Sequence, residues 1–186
     1  MDRFMIHLKN TGYVPIDAKT LLAKADNLTS EMDVIVRDMR ISTKYLEFDV
    51  SVKKEELDVI IKKFETIGSL HDARPIVEEK IEKEDAIKRA KQYFNDERYW
   101  ECHEVLEGVW KKTHEGEKDL VQGIILVAAA LVHYQKYEND ICLSIMNRAM
   151  NKFINVSGMY YGIDVSKFQK VVGTMISSKS IAPFMI

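Results

Sequence analysis

The sequence predicts an α+β chain of two units, a small mixed α/β unit over residues 1–76 followed by an all-helical unit over 77–186. Three observations predict it. Apolar residues alternate with period two in several short runs before residue 76, whereas every segment beyond Asp85 repeats with helical period. Between the two patterns, Val77 to Asp85 is dense in Glu and Lys, the composition of a solvated linker that becomes the first turn of a helix. Finally, 186 residues with 46% hydrophobic content suffice for two small cores.

The first run, Arg3 to Leu8, sets Phe4, Ile6 and Leu8 on one face of a strand that Asn10-Thr11-Gly12 ends. From Asp17 the spacing turns helical, with Leu21, Leu22, Ala25 and Leu28 as the stripe and Pro15 just upstream. Two strands follow, Val34 to Met39 and Tyr45 to Val52, joined by a hairpin turn at Ser42-Thr43-Lys44. In the second, Leu46, Phe48, Val50 and Val52 are expected inward, and Glu47, Asp49 and Ser51 outward. A helix over Lys54 to Ile67 buries Leu57, Ile60, Ile61 and Phe64, with Gly68 as its C′ residue. A last short strand, Ser69 to Ala73, ends before Pro75. This βαββαβ order is the ferredoxin-like one, a scaffold shared by many unrelated functions.

Beyond the linker, five helices form a bundle: one around Ala86 to Phe94, then Tyr99 to Lys112, Lys118 to Tyr137, Ile141 to Phe153 and Val165 to Ser177. The Leu120 to Val132 stretch is apolar all round and therefore central. Turns are expected at Asn95-Asp96, His114 to Gly116, Asn139-Asp140 and Gly158 to Gly162. The apolar tail, Ile181 to Ile186, is expected to dock on one of the units or on a second subunit, which makes a homo-oligomer one outcome.

Lys and Arg number 27 against 29 Asp and Glu, so a net charge of −2 provides no field to collect nucleic acid or anionic lipid. The longest apolar run, Ile124 to Val132, is far short of the ~20 residues a membrane span needs. Neither nucleic acid nor membrane is expected as a partner. Nothing resembling a signal peptide precedes Arg3-Phe4-Met5-Ile6, and Cys102 and Cys142 lie within helical patterns, so a reducing cytoplasm is the expected setting.

The informative segment is the second helix of the bundle, Tyr99-Trp100-Glu101-Cys102-His103-Glu104-Val105-Leu106-Glu107-Gly108-Val109-Trp110. Measured from His103 at 100° per residue, Glu107 lies at about 40°, Trp110 at about −20°, Trp100 at about 60° and Glu104 at about 100°. Polar and aromatic groups share a face. With Glu101, Val105 and Gly108 opposite, the aromatic side is expected to turn to the core and carry His103 and Glu107 inward. A carboxylate so placed needs a partner. An antiparallel pairing with the next helix sets Glu107 level with Gln122 and His103 level with Leu126, making Gln122 the expected partner. His133, seven residues further, falls about 10 Å along the axis from His103.

Three readings of the cluster stand open. In the first, His103 and Glu107, with Glu104 as a further candidate ligand and another helix supplying a third, hold a divalent metal, since an i,i+4 His/carboxylate pair suits such an ion; His133 is the more distant addition. The second needs no metal, and Glu104 or Glu107 works with His103 in acid–base catalysis on a small-molecule substrate. In the third, the cluster is a buried network that fixes helix packing, and the protein is a non-enzymatic interaction or oligomerisation module with a protein partner. The second histidine of the His-Glu-x-x-His zinc helix is absent, Glu107 being followed by Gly108. Cys102 is expected to be core, not a nucleophile.

The run from Phe94 to Trp110, followed by Leu120-Val121-Gln122-Gly123 and the apolar stretch to His133, resembles the family known as domain of unknown function 309. Its pattern is a His-Glu-x-Leu-Glu-x-x-Trp helix and then a Gln-Gly-containing apolar helix ending near a histidine; the similarity spans roughly residues 83–155. The resemblance implies a small all-helical fold and the activity of a predicted metal-dependent hydrolase. It makes His103, Glu104, Glu107, Trp110, Gln122, Gly123 and His133 the motif positions. The chain departs from the family pattern at Lys118, where an Arg is usual, and at Glu138-Asn139, where a Gly-Asn pair is common. The mixed α/β unit lies outside the resemblance.

Overall fold

The computed structural model describes residues 1–77, 81–114 and 116–186. Residues 78–80 of the expected linker and Glu115 of the expected turn lie outside the described residues. The described residues form two compact units, one of residues 1–77 with Gln135–Tyr137, the other of the remaining residues to Ile186.

In the first unit, β1 (Asp2–Lys9), α1 (Ala18–Thr29), β2 (Ile35–Ile41), β3 (Tyr45–Val52), α2 (Leu57–Phe64) and β4 (Leu70–Pro75) follow the expected order. The strands lie β2-β3-β1-β4, every neighbour antiparallel, which is the ferredoxin-like arrangement. The register sets Phe4 opposite Val50, Ile6 opposite Phe48 and Leu8 opposite Leu46, so one apolar face forms and packs with Leu21, Ala25, Ile60 and Phe64 of the two helices. Ser42 shapes the β2–β3 turn, its hydroxyl accepting from the Tyr45 N–H at 2.7 Å.

β4 runs on through Pro75, which pairs with Phe4, instead of ending before it, and two further expectations for this unit need correction. Glu47, Asp49 and Ser51 point away from the apolar core, as their alternation requires, but they are buried rather than solvated. Cross-strand partners make this tolerable, because a buried charge must be paired. Glu47 lies 3.1 Å from His7 Nε2 and accepts from Arg40 Nε at 3.1 Å; Asp49 accepts from Arg3 Nε at 2.8 Å; Ser51 accepts from Arg37 Nε at 2.7 Å. Gly68 is not a left-handed helix cap either, since α2 stops at Phe64. A Cβ at Gly68 would sit 2.8 Å from the Lys9 carbonyl oxygen, so close backbone approach is what demands glycine there.

The second unit contains α3 (Lys83–Asn95), α4 (Tyr99–Trp110), α5 (Glu117–Tyr134), α6 (Asn139–Met150) and α7 (Val165–Ser178), matching the five expected helices. α5 is central, burying residues all round from Leu120 to Leu131, and it packs against α4 on one side and α6 on another. It ends three residues earlier than its apolar pattern suggests. Tyr137 adopts φ 62°, and the Glu138 N–H closes back on the His133 carbonyl at 2.9 Å, a left-handed stop without glycine. The glycine-bounded segment before α7 forms a two-residue-per-strand hairpin, β5 (Met159–Tyr160) and β6 (Ile163–Asp164), that the sequence reading leaves as a plain break. The tail docks on the helical unit itself. Phe184 packs against Phe94 and Phe168 with ring centroids 5.1 and 5.6 Å away, and Asn95 both donates to the Ile186 carbonyl and accepts from its N–H.

Candidate functional site

α4 starts without a side-chain N-cap, but a buried ion pair steadies its first turn: Arg98 Nε donates to Glu101 Oε2 at 2.7 Å, with a second bond from Nη2 to Oε1. Its core stripe is Tyr99, Cys102, Leu106 and Val109, at i, i+3, i+7 and i+10. This corrects the expected orientation. The stripe centres roughly 80° from His103 at 100° per residue, so His103 and Glu107 ride on the flank of the buried face. Glu101, expected to face solvent, is buried instead, with its charge paired by Arg98.

His103 is 24% exposed, Glu104 45% and Glu107 46%. A closed, buried network is therefore not what these three form. The imidazole lies between the two carboxylates. Its Nδ1 is 3.3 Å from Glu104 Oε1 within hydrogen-bonding geometry, and its Nε2 is 3.5 Å from Glu107 Oε1 at ion-pair distance only. A neutral imidazole carries one N–H, so with Nδ1–H donating to Glu104, the Nε2 lone pair and a Glu107 oxygen face each other as two acceptors. Such a pair invites a proton or a cation between them.

The separation suits a metal ion. Ligand atoms about 2.1 Å from one tetrahedrally coordinated ion are about 3.4 Å apart, close to the 3.5 Å between His103 Nε2 and Glu107 Oε1. Glu104 does not complete the set: among the described residues, His103, Glu104 and Glu107 do not bring one ligand atom each within 4.8 Å of one another. His133 does not join them. It sits in the last turn of α5, its Nδ1 2.5 Å from Glu138 Oε2.

The remaining motif residues have separate places. Gln122 is half-buried, and among the described residues no hydrogen bond joins it to Glu107. Trp110 lies one turn beyond Glu107 beneath the Lys118 ammonium, 4.4 Å from the ring centroid, and its buried Nε1 has no hydrogen-bond partner among the described residues. Gly123 is a seat for Phe153, whose ring atoms lie 2.5 to 2.9 Å from where a Cβ would stand. Burial raises the Cys102 thiol far above its ordinary value, so this residue is core and no nucleophile.

The same unit holds a polar tie that sequence patterns did not single out. Glu117, opening α5, accepts from Lys83 Nζ at 2.6 Å and from the Tyr160 hydroxyl at 2.8 Å, joining the starts of α3 and α5 to the β5–β6 hairpin. Burial alone would raise its carboxyl, but the hydrogen bonds from Lys83 and Tyr160 and the charges of Lys83 and His114 bring it below the ordinary value. The Lys83-to-Glu117 spacing carries no local signal, so only tertiary structure shows the tie.

Residues 87–145 match the family model described as domain of unknown function (DUF309). The matched region thus runs from the first turns of α3 into α6, contains all seven motif residues from His103 to His133, and leaves β1 to β4, α1, α2 and α7 outside. No curated protein matches the chain.

Proposed function

We propose that the DUF309 region is a metal-assisted hydrolase acting on a small molecule, with His103 and Glu107 as the pair that holds a divalent cation. One observation carries the reading: the 3.5 Å between His103 Nε2 and Glu107 Oε1, on a flank open to solvent, is the spacing of two ligands on one ion. Once bound, such an ion lowers the pKa of a coordinated water and polarises the bond to be cleaved. Solvent and a small-molecule substrate would reach such an ion past the half-exposed Glu104 and Glu107 carboxylates. The second oxygen of Glu107 is then placed to take up a proton released at the site, as a general base does. Gly123, by seating Phe153, lets the turn that follows α6 pack closely against α5. A reducing cytoplasm as the setting is supported by two cysteines that are both free and buried.

Protein purified without a histidine tag, analysed for elements and titrated with Zn²⁺, tests this. A single bound ion per chain is expected, lost in His103→Ala and in Glu107→Gln. Absence of binding, or equal binding by parent and variants, overturns the assignment.

One observation favours a second reading, self-association through the sheet unit. Ile35 opens the edge strand β2 and is 49% exposed, and the turn that packs alongside β2 exposes Val14 and Ile16. Edge strands with exposed apolar residues are templates for pairing with a second copy.

A further inference from the structure

We propose that Glu104 is a positioning residue, which selects the Nδ1–H tautomer of His103 and thereby turns the Nε2 lone pair toward Glu107. The inference rests on the reading of His103 and Glu107 as a cation-holding pair and adds the group that prepares that pair. Glu104 sits on the opposite side of the ring from Glu107, so it cannot share an ion with both. Its contact with His103 is also unusual for a helix, because consecutive residues point about 100° apart and do not ordinarily face each other. The Glu104 side chain must lie along the helix surface to bring Oε1 within 3.3 Å of Nδ1.

The two possible tautomers have different consequences. A free imidazole side chain favours the Nε2–H form; here that form would aim a proton at Glu107 and set the Nδ1 lone pair against the Glu104 carboxylate. The Nδ1–H form makes the contact that has hydrogen-bonding geometry, the 3.3 Å one to Glu104, and moves the lone-pair opposition to Nε2 and Glu107, 3.5 Å apart, where a cation relieves it. A carboxylate that orients a metal-binding imidazole through its other nitrogen raises its basicity and fixes the ring. Glu104 has the chemistry and the distance for that role, and Glu107 the distance for direct ligation.

Long-range ¹H–¹⁵N spectra of the full-length, metal-free protein read the tautomer directly, taken about two pH units above the ordinary imidazole value of about 6.5, with His103→Gln to assign the signal. The parent is expected in the Nδ1–H form and Glu104→Ala in the Nε2–H form. Glu104→Gln, whose amide oxygen still accepts, is expected to keep Nδ1–H. Zn²⁺ titrated into the same samples should bind Glu104→Ala roughly tenfold more weakly than the parent, with Glu104→Gln between them. Glu104 is half-exposed, so these variants should fold, and circular dichroism checks that they do. A parent in the Nε2–H form, or a tautomer unchanged in Glu104→Ala, overturns the inference even if Zn²⁺ binds at His103 and Glu107. A tautomer that shifts as expected in a protein that binds no Zn²⁺ upholds the positioning role and removes the cation reading instead.

Discussion

Gly123 and Glu47 show two ways in which one side chain fixes its surroundings. A methyl group at Gly123 would meet the Phe153 ring at 2.5 Å, and Phe153 is itself buried, so the ring has little room to withdraw. Gly123→Ala should therefore lower stability by about 1 to 3 kcal/mol, the usual cost of overpacking, seen as an earlier midpoint in urea unfolding. An unchanged midpoint would mean that Phe153 relaxes freely. Glu47 joins His7 and Arg40 on the polar face of the sheet, and all three are almost wholly buried. In Glu47→Ala a buried guanidinium loses its main carboxylate, and a loss of about 3 to 5 kcal/mol is expected from one-sided removal of a buried ion pair. Replacement of Glu47 by Gln should cost less, because the amide still accepts from Arg40.

Elements whose burial is apolar were readable in advance, and those stabilised by charge were not. β1, β3 and α5 follow from Phe4, Ile6 and Leu8, from Leu46 to Val52, and from the unbroken Leu120 to Val132 stretch, because nothing competes with the hydrophobic pattern there. The rotation of α4 was misread. Tryptophan is a poor marker of the core side because indole is amphipathic and often sits half-buried, and the burial of Glu101 is invisible to a hydropathy pattern because it depends on its partner Arg98. The buried side of Glu47 and Asp49 was missed for the same reason. The i,i+4 pairing of His103 with Glu107 is local geometry and legible in the sequence, whereas a Gln122 partner depends on helix register, and among the described residues no hydrogen bond joins Gln122 to Glu107. At the same scale, the Glu117 tie gives the N-terminal ends of α3 and α5 a pH dependence. A carboxyl held below its ordinary value stabilises the fold above the unfolded-chain value of about 4.3, and that contribution is lost as pH falls through the lower folded value. Glu117→Gln should thus melt earlier than the parent at neutral pH, and the gap should close in acid. A gap that stays constant down to pH about 3 would exclude this account.

For the molecule as a whole, the region that matches the family model holds the residues of the proposed chemistry, while the sheet unit exposes Ile35 at the start of its edge strand β2. Among the described residues no helix is long and apolar enough to cross a membrane. If the β2 edge mediates self-association, Ile35→Lys should shift the chain toward monomer in sedimentation analysis without altering Zn²⁺ binding, since a lysine on an edge strand opposes pairing. A parent that is already monomeric at all concentrations removes the second reading. The rotation of α4 has a consequence for how such a protein can change. Cys102, Leu106 and Val109 anchor the helix, whereas His103, Glu104 and Glu107 occupy an adjacent arc that the core does not use. Residues on that arc are free to be exchanged in combination while the scaffold keeps its shape, so a library randomised at the three positions should remain largely folded and vary mainly in which ions and ligands it accepts.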